Sequence, residues 1–288
     1  MLVARARAKL NLSLAVTGRR ADGYHKLESL VAFTRFGDHV TLQPGLPLAL
    51  DVEGATAAAS GAVADNLVLK AARHFAALLP GAAAGRFRLV KHIPVAAGLG
   101  GGSSDAAAAL RLLAGLNDIG ADDPRLFEAA RRSGADVPVC LAARARFMRG
   151  IGDELGPVLA LPPLIAVLVN PGVALATAAV FAAMRLRPGE AALAAPAPRV
   201  ESGMSAEALL AALRHAGNDM EDASQSLAPV LVGVLAVLAS APGCRLARMT
   251  GSGATCFGLF TSRRAAQAAV SAIRRGHPDW WVRASVLG

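Results

Sequence analysis

Residues Lys91 to Asp105 read Lys-His-Ile-Pro-Val-Ala-Ala-Gly-Leu-Gly-Gly-Gly-Ser-Ser-Asp, and their spacing suits the capture of an anion. Gly98, Gly100, Gly101 and Gly102 let the backbone turn without Cβ clashes. Ser103, Ser104 and Asp105 are good N-cap residue types, and Ala106–Leu116, with Leu110 and Leu113, is predicted as the helix they open. The free amides of that first turn and the positive end of the helix dipole would face a loop with no side chains in the way. A flexible connector is the plain alternative for any glycine run, but a Ser-Ser-Asp cap on a strong helix does not suit one. The loop is not a Walker A, because no Gly-Lys-Ser/Thr occurs in the chain. Nor is it a dinucleotide fingerprint, because Ser103 stands where the third glycine is required.

Further polar residues fall where chemistry is possible. From Leu2 to Val16 the chain alternates, with Leu2, Ala4, Ala6, Ala8, Leu10, Leu12, Leu14 and Val16 on one face and Arg5, Arg7, Lys9, Asn11 and Ser13 on the other. Lys9 and Asn11 therefore project together, although an exposed strand face is the ordinary reading of such a pair. Tyr24, the single tyrosine, follows the Asp22-Gly23 turn beside His25; it reads as a packed loop residue or a ligand contact. Asp136, in Ala-Asp-Val-Pro138, reads as the N-cap of a helix Val137–Ala143. Phe181 and Met184, three apart on a helix that Thr177 caps, read as core.

The elements that must hold these residues follow from the pattern. Arg86–Ile93 alternates as a strand ended by Pro94, and Leu27–Phe33 and His39–Gln43 read as strands around a Gly37-Asp38 turn. Asp65-Asn66 precedes a helix Leu67–Leu78, and Asp123-Pro124 opens another to Arg132. Arg149–Pro157 reads as a hinge or boundary, ahead of a strand Leu164–Val169. Arg185–Met204 is proline- and alanine-rich and reads as a loop. Helices Ser205–Ala216, Leu227–Ser240 and Ser262–Arg275 and strands Leu246–Met249, Thr255–Phe260 and Trp280–Val286 complete the chain. Strands and helices interleaved with adjacent hairpins indicate α+β sandwiches rather than a doubly wound sheet.

Length allows two domains and real cores, since the chain has 288 residues. Hydrophobic residues make up 54% but aromatics only 4%, so those cores are built of Ala, Leu and Val. The apolar runs Val158–Val169 and Leu227–Ala241 fall short of the ~18 residues of a membrane span. No signal peptide is read, because Lys9 and Asn11 interrupt the N-terminal apolar segment. Cys140, Cys244 and Cys256 are odd in number, lack metal spacing and suit a reducing cytoplasm. The net charge of +9 is spread over doublets such as Arg131-Arg132 and Arg274-Arg275 rather than one basic run. That pattern favours an anionic small molecule over a nucleic acid.

Three separated segments resemble one family. Pro94–Ser104 resembles the central motif of the GHMP kinases (galactose, homoserine, mevalonate and phosphomevalonate kinases), Ala8–Leu12 their first motif, and Met249–Gly258 their third. Gly18–His25, Gly134–Pro138 and Asn218–Glu221 extend the likeness over essentially the whole chain, toward members that act on a cytidylyl polyol. The resemblance implies a two-domain α+β GHMP kinase fold, two-layer α/β sandwiches with the active site in the cleft, with residues 1–155 as the ATP-binding domain and 156–288 as the C-terminal domain. It implies ATP-dependent phosphorylation of the 2-hydroxyl of a diphosphocytidyl-methylerythritol, on the non-mevalonate route to isoprenoids. Lys9 and Asp136 match catalytic positions. Pro94, Val95, Ala96, Ala97, Gly98, Leu99, Gly100, Gly101, Gly102, Ser103 and Ser104 match the ATP loop, with Asn66 on the nucleotide side. Asn11, Tyr24, His25, Lys91, Thr177 and Phe181 match substrate contacts, Tyr24 and Phe181 as aromatics about the cytosine. Mg²⁺ would be held mainly by ATP phosphates, with Ser103 or Ser104 as protein ligands. A monomer or weak homodimer in the cytoplasm is expected, with neither nucleic acid nor membrane as partner. Another GHMP small-molecule kinase, of homoserine or mevalonate type, and a catalytically silent nucleotide sensor are the alternatives.

Overall fold

The computed structural model describes residues 1–288, which fall into two compact units. The first comprises Met1–Lys9, Phe36–Val95 and Gly100–Ala143; the second comprises Leu10–Arg35, Ala96–Leu99 and Arg144–Gly288. A single cut after residue 155 is thus not how the units divide. The long strands β1 (Leu2–Arg19) and β2 (His25–Pro44) pair with each other, and each contributes residues to both units.

In the first unit β3 (Ala49–Glu53) runs parallel to β4 (Gly85–Val90), which is antiparallel to the end of β2. Helices α1 (Leu67–Leu78), α2 (Gly101–Leu116), α3 (Pro124–Ser133) and α4 (Val137–Ala142) pack on one another. Phe75, Phe87, Leu42, Leu89 and Leu110 are fully buried there, a core of aliphatics with few rings, as the composition requires. Asn66 caps α1, its Oδ1 accepting from Val68 N at 3.0 Å.

Three expectations for this unit are corrected. β2 is one unbroken strand rather than two around a Gly37 turn. Gly37 is needed for another reason: a Cβ there would lie 2.1 Å from the carbonyl oxygen of Ala6. β4 stops at Val90, short of Ile93. Helix α2 starts at Gly101, not Ala106, so Ser103, Ser104 and Asp105 lie in its first turn and Gly100 is the N-cap. Glycine at the cap frees the three side chains for other partners.

The second unit contains β5 (Arg146–Gly150), β6 (Glu154–Val158), β7 (Leu164–Asn170), β8 (Cys244–Met249), β9 (Cys256–Phe260) and β10 (Trp281–Leu287). Strands β10, β7, β9 and β8 are antiparallel neighbours in that order, and β5 pairs with Leu27–Val31 of β2. Helices α5 (Thr177–Ala183), α6 (Ala206–Arg214), α7 (Glu221–Leu227), α8 (Val230–Ser240) and α9 (Arg263–Gly276) accompany them. Val167, Val169, Leu231, Val234, Leu238 and Ile273 form the core with Leu14 and Val16 of β1. The expected hinge at Arg149–Pro157 is instead the β5–β6 hairpin, with Arg149 opposite Glu154. The expected helix Leu227–Ser240 begins at Val230, with Pro229 as its N-cap, and α7 precedes it. Arg185–Met204 holds no helix, and its backbone is tied to the end of β1 through Glu190 O, which accepts from Arg19 N at 2.8 Å. No helix is long and apolar enough to cross a membrane.

Candidate active site

Lys9 and Asn11 are not on an exposed face. From Ala8 to Val16 every residue of β1 is buried, polar ones included. A buried ammonium is tolerated only with a partner, and Lys9 Nζ has Asp136, at 2.8 Å from Oδ2. Asp136 sits at the N-cap position of α4 yet makes no capping hydrogen bond. Its carboxylate is spent on Lys9 instead, and the capping role read from the sequence is withdrawn. The Asp136 side chain keeps about a third of its surface exposed (34%), whereas Lys9 is enclosed (5%). One partner can therefore meet a ligand while the other stays fixed.

The glycine loop stands beside this pair. Gly100 takes φ 61°, in the left-handed region, and a Cβ there would lie 3.3 Å from Lys9 Cβ. The N–H groups of Gly101, Gly102 and Ser103 begin a sixteen-residue helix and have no intrahelical acceptor. Ser104 is not available to a ligand: it is buried and its hydroxyl donates to Arg7 O at 2.7 Å. Ser103 is partly exposed, so of the two serines its hydroxyl is the one free for a metal or phosphate. Cys140, close to Ser104, is pushed up to about 12 by burial and is an inert thiol.

Lys91 is placed differently from a substrate contact. Its ammonium is buried between Asp38 and Asp105, bonded to both, with Asp105 Oδ2 at 2.8 Å. Asp38 also accepts from His92 N at 2.5 Å and Ile93 N at 2.8 Å, so it pins the chain just before the glycine loop. Burial alone would lower the Lys91 pKa, but Asp105 and Asp38 together outweigh it and raise it. Burial pushes Asp105 up to about 8, and its Oδ1 has no partner.

In the second unit His25 stacks on Phe181, with ring centroids 4.1 Å apart and planes 11° apart. The family resemblance implies Tyr24 and Phe181 as aromatics about the cytosine; Tyr24 is exposed, and the ring stacked on Phe181 is the imidazole of His25. Burial first, and the nearby Arg19 charge second, lower the His25 pKa, so the ring is neutral at pH 7. Its Nε2 is buried without a partner. Thr177 is the first residue of α5, which Ala176 precedes as N-cap, and its hydroxyl lies 2.9 Å from that of Ser252. Asn11 Nδ2 donates to Ser29 Oγ at 2.7 Å.

Several supporting residues carry no ligand-binding motif of their own. Thr250, fully buried, accepts from Asn11 N at 2.8 Å, and a Cβ on Gly98 would lie 2.3 Å from Thr250 O. Asn218 donates to Met249 O at 2.9 Å and Gly251 O at 2.8 Å, and Glu221 accepts from Met249 N at 2.9 Å. Thr250 of the third motif thus touches Asn11 of the first and Gly98 of the central one, while Asn218 and Glu221 brace its backbone. The signal of the third motif in the sequence was the motif itself; Asp38, which the sequence reads as half of a turn, had none.

The family model for the GHMP kinases N terminal domain matches residues 66–144, and that for the GHMP kinases C terminal domain matches residues 202–279. The 4-diphosphocytidyl-2-C-methyl-D-erythritol kinase of Methylobacterium radiotolerans is 55% identical over 288 residues, spanning 100% of this chain and 99% of its own. The chain belongs to the GHMP kinase family. An enzyme of the same name from Xanthobacter autotrophicus is 56% identical over 292 residues, again covering 100% of this chain and 99% of its own. Among solved structures, a 4-(cytidine 5'-diphospho)-2C-methyl-D-erythritol kinase matches this GHMP kinase at TM-score 0.76 and 34% identity, over 100% of this chain and 99% of that one. Homoserine kinase from Cytophaga hutchinsonii shares the fold at TM-score 0.65 and 20% identity, over 99% and 96%.

Proposed function

We propose that this GHMP kinase transfers the γ-phosphoryl group of ATP to the 2-hydroxyl of 4-diphosphocytidyl-2-C-methyl-D-erythritol. The observation that carries the reading is the Lys9–Asp136 ion pair, 2.8 Å long, next to the left-handed Gly100. It puts a partly exposed carboxylate and a fixed ammonium beside a cradle of helix N-terminal amides.

The amides of Gly101 to Ser103 hold phosphate oxygens through charge-assisted hydrogen bonds. Asp136 accepts the proton of the acceptor hydroxyl as its oxygen bonds to the γ-phosphorus. The bond from that phosphorus to the β,γ-bridging oxygen breaks, and ADP leaves with the electron pair. Lys9, enclosed and paired, keeps Asp136 in place and offsets negative charge on the attacking oxygen. Mg²⁺ would be held mainly by the phosphates of the nucleotide. Ser103 would supply the protein's oxygen to Mg²⁺, which when bound neutralises phosphate charge. Asn66 lies on the nucleotide side and Thr177 on the substrate side.

The cytosine is recognised by Tyr24, Phe181 and His25. Phe181 supports the neutral imidazole, and the unpartnered Nε2 accepts from the base's amino group. Tyr24→Ala or Phe181→Ala should raise the KM for the cytidylyl substrate about ten- to a hundredfold, the worth of a stack of ~1–3 kcal/mol. The KM for ATP should hold. Changes confined to thermal stability would return Phe181 to the core role its helical spacing suggests.

A pH dependence follows. The pKa of His25 is depressed below 6.5, so the accepting form prevails above that depressed value and is lost as pH falls through it. The cytidylyl KM should therefore climb as pH falls through that depressed value, lower than 6.5, in the wild type and stay level in His25→Gln. A wild-type profile that rises with acid no more than that of His25→Gln would remove His25 from base recognition. The assignment itself is tested by ADP formation with the cytidylyl polyol, homoserine, mevalonate and galactose. Preference for the first, by a hundredfold or more in kcat/KM, is expected; equal use of another alcohol would overturn it.

A further inference from the structure

The orientation of the Asn11 amide is dictated by a neighbour. Asn11 Nδ2 donates to Ser29 Oγ at 2.7 Å, while Asn11 Oδ1 is buried and has no partner. Ser29 Oγ also lies 2.6 Å from the carbonyl oxygen of Ser13, a group that can only accept. The single hydroxyl proton of Ser29 is spent there. Toward Asn11 the hydroxyl offers lone pairs alone, so it must face the NH₂ end of the amide and leave the carbonyl end free. The Ser13 hydroxyl is itself engaged, accepting from Leu30 N at 3.3 Å. Ser29 is 1% exposed, opposite Met148 of β5, so bulk water does not compete for these bonds. A buried acceptor without a donor is rare in folded proteins and calls for an explanation, such as a ligand that supplies one.

We propose that Ser29 is a positioning residue that locks Asn11 with its carbonyl oxygen free, so that Asn11 accepts from a hydroxyl of the polyol acceptor. The lock fixes which end of the amide is free: one Nδ2 proton is committed to Ser29, and the carbonyl oxygen is the unpartnered acceptor. The inference rests on the proposed kinase reaction for the identity of that polyol, and on the hydrogen-bond directions for everything else.

Ser29→Ala removes both the acceptor for Nδ2 and the constraint, and the amide is free to turn over. The KM for the cytidylyl polyol should rise about three- to tenfold, the worth of one neutral hydrogen bond, with the ATP KM unchanged. The effect should vanish in an Asn11→Ala background, where no amide is left to orient; a purely structural role for Ser29 would add to it. An unchanged cytidylyl KM in active Ser29→Ala, or additive losses in the double variant, overturns the proposal. A second readout does not need turnover. The Asn11 side-chain protons should exchange slowly with solvent in wild-type ¹⁵N spectra and quickly in Ser29→Ala, and fast exchange in both would overturn the locked amide. If wild type fails to phosphorylate the cytidylyl polyol, the substrate assignment falls, and the exchange measurement decides the Ser29 lock by itself.

Discussion

Asp136→Asn is expected to lower turnover by about 10²–10⁴-fold, the usual worth of a positioned general base. The substitution keeps the shape of the side chain and a carbonyl oxygen for Lys9 Nζ, which lies 2.8 Å from the carboxylate in the wild type. What it removes is the ability to take the hydroxyl proton. The KM for ATP should change little, because the phosphate cradle is made of backbone amides. Since Asp136 makes no capping bond, any loss of stability would come from the weakened ion pair and not from an uncapped α4. Steady-state kinetics with a thermal melt separate the two. A fall in turnover below tenfold would mean that the transfer needs no base, as a loose metaphosphate-like transition state allows.

The second large effect is expected at Gly100→Val. A β-branched residue at φ 61° is strained by ~1–2 kcal/mol. Its Cβ would meet Lys9 Cβ at 3.3 Å, so the loop must shift away from the phosphates. Losing two charge-assisted bonds of ~1.5–3 kcal/mol each corresponds to about 10²–10⁴-fold in ATP affinity. Titration calorimetry on a variant with an unchanged circular dichroism spectrum measures this. Unaltered ATP affinity would leave the glycine run a connector.

The parts of the site that alternation and glycine chemistry encode were legible in the sequence. The loop, helix α2 and strand β1 follow from local pattern, and the family likeness placed Lys9 and Asp136 as partners. What the pattern could not give is which face is covered. Alternation puts Lys9, Asn11 and Ser13 on one side of β1, but only tertiary packing buries that side. The same limit applies to Asp136, where a cap is the local preference and an ion pair with a residue 127 positions away (136 − 9) prevails. Gly37 reads as a turn because glycine in a strand has two meanings, and close approach of Ala6 O is the one realised. Lys91 looked like a ligand for substrate until Asp38 and Asp105 enclosed it. His25 and Phe181 lie 156 positions apart (181 − 25), so no local rule could stack them.

The central claim, phosphoryl transfer from ATP to the 2-hydroxyl of the cytidylyl polyol, is tested most directly by ³¹P NMR of the reaction mixture. Wild-type protein with ATP, Mg²⁺ and 4-diphosphocytidyl-2-C-methyl-D-erythritol should yield one new phosphomonoester resonance, equal in amount to the ADP formed, with the substrate's diphosphate signals retained. Coupling of the new phosphorus to carbon 2 of the polyol, and its near absence with Asp136→Asn over the same interval, are the predicted results. ADP accompanied only by inorganic phosphate, or a monoester on a different hydroxyl, would contradict the account.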